Sequence, residues 1–267
     1  MWRFIFGGDR YIVGETRDKE NKKLNLFVID FTSGKVIHKN FEFEKDNFWI
    51  TVEGATDRLF YLSRFEKPET LQQKNIIAVD ITTGEKIWEN EKYSFLFNTG
   101  DSVYGLYRGF ENIEIAKLDI NTGKVNEIIP PEEHIRIFEL RNSNEDYVYE
   151  NSNYPIIYKK EETREDISKV LENICLKNSD AESIEYIQKG SLLIFNYYIK
   201  FSTGLNKHGS NIYENRLMIF DMDPSEILFE DLLNKNTNYC VPDNFFIKRD
   251  YLFYLKEKNE LHCLKIL

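Results

Sequence analysis

The sequence predicts an all-β fold, a six-bladed β-propeller with three to four antiparallel strands per blade, from two series of turns that keep step along 267 residues. The first series is one phrase with small changes: Asp30-Phe-Thr-Ser-Gly34-Lys35, Asp80-Ile-Thr-Thr-Gly84-Glu85-Lys86-Ile-Trp88 and Asp119-Ile-Asn-Thr-Gly123-Lys124, with a late copy running to Asp221 and Ser225. In each, an apolar run ends at Asp, whose carboxylate accepts hydrogen bonds from the turn's own backbone. Gly then supplies a positive φ without a Cβ clash. The second series puts an acidic or Gly residue before an aromatic-rich strand, at Asp9, Asp57, Asp101, Asp146, Gly190 and Asp250. Its spacings of 48, 44, 45, 44 and 60 residues suit a unit of four short strands.

Each blade can be written out in order. Blade 1 takes Trp2 to Phe6, Tyr11 to Thr16, Leu24 to Phe31 and Val36 to Phe43. Blade 2 takes Phe48 to Glu53, Leu59 to Phe65, Asn75 to Ile81 and Lys86 to Tyr93. Blade 3 takes Phe95 to Asn98, Val103 to Tyr107, Ile113 to Ile120 and Lys124 to Ile129, and Pro130-Pro131 stops its last ladder. Blade 4 begins with strands at Ile135 to Leu140, Tyr147 to Glu150 and Pro155 to Lys160. Its outer strand gives way to a short helix over Thr163 to Ile174, where Ile167, Val170, Leu171 and Ile174 make an apolar stripe at helical spacing. Blade 5 takes Ile184 to Gln188, Leu192 to Phe201, Arg216 to Asp221 and Ile227 to Glu230, and blade 6 has three strands. One domain over 1–267 is expected, with no linker.

Composition narrows the function classes. A formal net charge of −10 and a sequence pI near 5.1 argue against nucleic acid, which needs a basic stripe. The aromatic share of 15% matches the large flat side chains that packed blades need. Cys175, Cys240 and Cys263 are odd in number and stand in no metal-ligand spacing. No run approaches the roughly 20 apolar residues of a membrane span, and Met1 to Gly8 reads as the start of blade 1, so a cytoplasmic protein with no membrane contact is expected.

The three phrases resemble the repeat of the quinoprotein-type (PQQ-repeat) propellers, whose blades carry an Asp, a Thr-Gly turn and then a Trp in the outer strand. Asp80 to Trp88 matches in full, while the copies at Asp30 and Asp119 keep the core without the Trp. The resemblance covers the first half of the chain and implies a propeller. Because the quinone-using enzymes of that group carry an adjacent Cys pair that is missing here, it implies a noncatalytic member with no cofactor, in which Trp88 packs blades together.

No Gly-rich phosphate loop, Gly-x-Ser-x-Gly elbow or His-Glu-x-x-His occurs, and the four histidines are scattered. Geometry singles out one end of the blades. Tight turns gather at the Asp and Gly end, and the longer connections gather at the other, including Ser63 to Lys74, Tyr107 to Asn112, Pro130 to Arg136 and Ser202 to Asn215. The leading expectation is therefore a noncatalytic protein-interaction propeller, a scaffold, regulator or inhibitor. Its contacts with a protein partner would be made by Arg64, Phe65, His134, Arg136, His208 and Tyr213. The alternative is a metal-dependent hydrolase or lactonase with a channel cation held by Asn47, His134, Glu182, Asp243 and Asn244, at the entries of inner strands.

Overall fold

The computed structural model describes residues 2–44, 47–65, 73–110, 112–149, 151–175, 183–205, 211–240, 242–257 and 260–266. It falls into two compact units, Met1–Glu150 and Asn151–Leu267.

The first unit holds three four-stranded antiparallel meanders, each in chain order. Sheet 1 comprises β1 (Trp2–Gly7), β2 (Tyr11–Asp18), β3 (Lys23–Asp30) and β4 (Lys35–Phe41). Sheet 2 comprises β5 (Ile50–Ala55), β6 (Leu59–Phe65), β7 (Gln73–Asp80) and β8 (Lys86–Asn90). Sheet 3 comprises β9 (Ser94–Asn98), β10 (Ser102–Arg108), β11 (Ile113–Asp119) and β12 (Val125–Ile129). The first strands of neighbouring sheets adjoin, β1 to β5 and β5 to β9, as in successive propeller blades. The alternating strands give each sheet two apolar faces. Val13, Leu26, Val52, Leu62 and Ile77 join sheets 1 and 2, and Tyr61, Ala78, Trp88, Val103 and Leu118 join sheets 2 and 3.

The turn phrase works as its chemistry predicts. Asp80 Oδ1 accepts from the Thr82 and Thr83 amides, both at 2.8 Å, and Asp119 Oδ1 accepts from Asn121 and Thr122 at 3.0 and 2.9 Å. Gly84 and Gly123 follow at φ of +74° and +65°. In the late copy Ser225 takes the same left-handed position, at +56°. Trp88 lies flat over Gly123, donating Nε1–H to the Ile120 carbonyl at 2.8 Å. A Cβ on Gly123 would sit 2.3 Å from the indole ring.

Residues 134–149 correct the expected strands of blade 4, and with them the turn at Asp146. They form one helix, α1 (His134–Tyr149), entered through a short 3-10 turn at Pro131–Glu133. Proline early in a helical segment gives up no bond, and Glu132 and Glu133 suit a helix start. Its inward residues are His134, Ile137, Arg141 and Asn144, spaced by three and four. Ile137 packs with Phe97, Tyr104, Ile115 and Ile129, and Asn144 donates to the Asn98 carbonyl at 2.8 Å, so α1 covers the free face of sheet 3.

The second unit holds two sheets. The segment after Asn151 contributes two short strands, β13 (Ser152–Asn153) and β14 (Ile156–Ile157). Next come α2 (Glu165–Ile174), β15 (Glu185–Lys189), β16 (Leu192–Leu205), β17 (Asn211–Asp221), β18 (Glu226–Thr237), β19 (Phe245–Lys248), β20 (Tyr251–Lys256) and β21 (Glu260–Lys265). The sheet orders are β14-β15-β16-β17-β18 and β13-β19-β20-β21. One stretch of chain therefore closes the edge of both sheets. The three-stranded sixth blade gains its fourth strand from β13, and the expected strand over Pro155 to Lys160 reduces to β14, paired with β15.

Described residues thus make five sheets where six were expected, because α1 and the two short strands occupy the place of the fourth. The expected helix is present as α2. Ile167 and Leu171 are buried against Tyr186, Phe195 and Met218, with Val170 and Ile174 half-buried beside them. It lies on the face of the β14–β18 sheet rather than at an outer edge. The expected loop over Ser202 to Asn215 is instead largely strand, since β16 continues to Leu205 and β17 resumes at Asn211. No described helix is long and apolar enough to cross a membrane.

Candidate functional site

In the first unit the tight turns share one end: Gly8 lies against Asp57, and Arg58 reaches Asn121. The other end carries the connections, and a cleft of 870 Å³ opens there. Its walls come from Glu53 of β5, Gln73 and Lys74 of β7, the Glu91–Lys92 link into Ser94, Phe95 and Leu96 of β9, the end of β10 from Leu106 to Arg108 with Gly109, and Arg141 of α1.

A β-bulge aims Glu53. Val52 pairs with Leu62 and Gly54 with Tyr61, so Glu53 is the extra residue on β5. Gly54 is required beside it, because a Cβ there would lie 2.4 Å from the Phe95 ring. Gln73 Nε2 donates to Glu53 Oε1 at 2.6 Å. Burial pushes the Glu53 carboxyl up to about 7; Arg3 opposes the rise and nearby Glu15 adds to it. Glu15 itself is buried and already engaged, by Arg17 at 3.0 Å and by the Val52 amide at 2.9 Å.

Four cationic side chains, Lys74, Lys92, Arg108 and Arg141, face two carboxylates, Glu53 and Glu91. Lys92 is anchored by Glu114 and lies over the rings of Tyr93 and Tyr107, 4.8 and 5.4 Å from their centroids. Lys74 and Arg108 are exposed and make no ion pair among the described residues. Phe110, fully exposed, stands one residue beyond Gly109.

The residues singled out in the sequence are divided between the two units. Arg64 is held in a two-pronged ion pair with Glu44, at 2.7 and 2.9 Å, with Glu89 at 3.8 Å. Phe65 packs edge-on against Trp49. His134 Nε2 lies 3.2 Å from the Ile129 carbonyl at the start of α1, and Arg136 is exposed beside Glu133. Tyr213 is half-buried in β17, its ring perpendicular to Tyr198. His208 and Glu182 lie outside the described residues, as does the Asn47 side chain. Of the alternative metal set, Asp243 and Asn244 come together in the second unit. The Asp243 amide donates to Glu185 at 3.3 Å and Asn244 Nδ2 to Tyr198 at 3.2 Å. No cluster of three or more His, Cys, Asp or Glu placed to hold a metal is found among the described residues. Sequence reasoning missed Glu53, Lys92 and Arg108, whose convergence depends on the bulge and on how sheets 2 and 3 abut.

A family model described as a domain of unknown function (DUF4905) matches residues 8–88. No curated protein matches the sequence. Solved structures with a similar backbone include a eukaryotic initiation factor, at 10% identity and TM-score 0.34, over 89% of this chain and 55% of that one. An acylaminoacyl peptidase from Pyrococcus horikoshii matches at 9% identity and TM-score 0.33, over 98% of this chain and 37% of that one. The β-propeller domain of the Trilobed protease from Pyrococcus furiosus matches at 11% identity and TM-score 0.33, over 98% of this chain and 67% of that one. The chain spans about half the length of the initiation factor and about a third of the peptidase. Likeness at this level assigns the chain to none of their families.

Proposed function

We propose that this chain is a noncatalytic protein-interaction module of the propeller type, a scaffold or regulator that grips an acidic segment of its partner in the cleft of the first unit. The observation that carries the reading is local charge reversal. A chain of net charge −10 lines one recess with four cations, of which Lys92 is paired to Glu114 and Lys74 and Arg108 are exposed, against the carboxylates of Glu53 and Glu91, with Tyr107 and Phe95 as apolar walls and Phe110 at its rim. Aromatic and Arg anchors around a recess are what interface energetics favour. Lys74 and Arg108 would pair with partner carboxylates, while Lys92, fixed by Glu114, would contribute field more than a new bond. Long-range attraction still follows the whole-chain charge, so a partner with a basic body and an acidic docking segment suits both scales.

The test uses fluorescence polarisation with a labelled Asp/Glu-rich peptide and its Lys-rich counterpart. The acidic peptide should bind, with affinity falling as salt rises. Lys74→Glu with Arg108→Glu should abolish binding and leave the melting temperature within a degree or two, since both residues are exposed. Preference for the Lys-rich peptide, or unchanged binding by the double variant, would overturn the proposal.

A further inference from the structure

The two sheets of the second unit pack through an apolar layer near the Gly190 and Asp250 turns, with Ile187, Ile194 and Leu217 against Phe245, Ile247 and Leu252. Two residues further from those turns the same sheet face becomes polar. Glu185 on β15 pairs with Asn196 on β16, and Tyr198 on β16 pairs with Asn215 on β17. By strand alternation all four share the face that carries Ile187, Ile194 and Leu217. Asn244, leading into β19, meets them from the other sheet.

These groups are deeply buried: Asn196 and Asn215 are 0% exposed, Tyr198 2%, Glu185 6% and Asn244 8%. Their own hydrogen bonds do not complete the set. Asn215 Nδ2 and Asn244 Nδ2 both donate to the Tyr198 hydroxyl at 3.2 Å, and the Asp243 amide takes Glu185 Oε1 at 3.3 Å. That leaves Glu185 Oε2, Asn215 Oδ1 and both amide atoms of Asn196 without a hydrogen-bond partner among the described residues. The large majority of buried side-chain polar atoms find a partner in folded proteins, and each one that does not keeps an uncompensated desolvation cost. Glu185 also makes no ion pair among the described residues, and burial pushes its carboxyl upward against the opposing pull of the Asp243 amide and the facing Asn196 side chain. A buried carboxylate beside orphaned amide oxygens is the donor chemistry of a hard cation, which takes several oxygens at about 2.3–2.6 Å. Asn196 stands opposite Glu185 and diagonal to Asn215 across the ladder, separations of roughly 5 and 7–8 Å that one ion can bridge through side-chain oxygens. Asp243 adds a second carboxylate at the exposed rim, its backbone held at a φ of +56°.

We propose that this buried polar cluster is a cation site of the Ca²⁺ type, with Glu185, Asn196 and Asn215 supplying oxygens and Asp243 closing it from the exposed side. The inference is independent of the cleft in the first unit and needs no catalysis. The ion would join the two sheets, replacing orphaned polar atoms with metal-oxygen bonds.

The test uses the full chain, stripped with chelator and titrated with CaCl₂, MgCl₂ or NaCl in thermal-shift and calorimetric experiments. Tb³⁺ serves as a luminescent stand-in that a neighbouring Tyr198 ring sensitises. Saturable stabilisation by Ca²⁺ is expected, with a weaker response to Mg²⁺. Glu185→Gln should weaken Ca²⁺ binding at least ~10-fold. Asn196→Ala provides a second variant should the first fold poorly. Tyr198→Phe should lower Tb³⁺ emission more than it lowers affinity. No saturable response in the wild type would mean that the cluster holds no cation, and an equal response in wild type and both ligand variants would place the ion elsewhere. Either result overturns the proposal.

Discussion

Replacing Glu53 by Gln isolates the cost of keeping a carboxyl in the cleft. The folded-state value is pushed up to about 7 from 4.5, chiefly by burial. A carboxyl raised on folding binds its proton more tightly in the native state. Stability therefore falls as pH climbs from about 4.5 to about 7 and stays reduced above that window. At about 1.36 kcal/mol per unit the full shift corresponds to an upper limit of about 3.4 kcal/mol. Glu53 keeps some contact with solvent, and Gln73 bonds its anion, so about 2 kcal/mol is the expected penalty at pH 8. Glu53→Gln keeps an acceptor for Gln73 and never ionises. Thermal melts of both proteins from pH 4.5 to 8.5 should coincide at the acid end and separate by roughly 4–8 °C at the alkaline end, with the variant the more stable. Parallel curves, or a variant less stable at pH 8, would refute the reasoning, because the difference between the two proteins cancels every other titrating group.

Other outcomes follow from packing. Trp88→Ala should cost about 3–5 kcal/mol by chemical denaturation, since it empties the space over Gly123 and removes the bond to Ile120. Gly123→Ala should cost about 2–4 kcal/mol through the indole clash and the left-handed backbone together, and a neutral result would show that the ring does not lie flat over the turn. Val170→Pro should lower stability by about 3 kcal/mol or more by breaking α2 on its sheet, and an unchanged melt would mean that the helix contributes nothing.

The strands of sheets 1 to 3 were legible because their grammar is local. Asp, a small residue and Gly decide each turn within five residues, and apolar alternation does the rest. The segment from His134 to Tyr149 was misread because its inward stripe is mostly polar: His134, Arg141 and Asn144 flank a single Ile137. The exposed Ile135 alternates with Ile137 across Arg136, and the exposed Phe138 with Leu140 across Glu139, so each short window reads as a strand. Strands as short as Ser152–Asn153 and Ile156–Ile157 carry no periodicity at all, and only partners far along the chain create them. Arg64 and Arg108 look alike in sequence, and only folding brings Glu44 to Arg64 while leaving Arg108 exposed in the cleft.

Within each unit polar groups occur at both ends of the sheets. At the turn end charges are spent internally. Asp30 takes Arg10 and the Thr32 and Ser33 amides, and although burial works against its ionised form, these bonds hold its carboxyl well below the usual range. Lys189 likewise bonds Asp250 at the neighbouring turn. Such closed networks fix register and leave nothing for a ligand. At the connection end some groups are closed in the same way, as Arg64 is by Glu44, but Lys74 and Arg108 are exposed beside a carboxyl raised by burial, and Asn196 and Glu185 carry buried atoms with no hydrogen-bond partner among the described residues. A Leu at position 196 would remove two of the four unpartnered atoms of that cluster without adding a polar group. Leu at Asn196 should therefore raise stability in chelator while abolishing any Ca²⁺ response. A loss of stability in chelator would instead mean that the amide is needed by the fold itself.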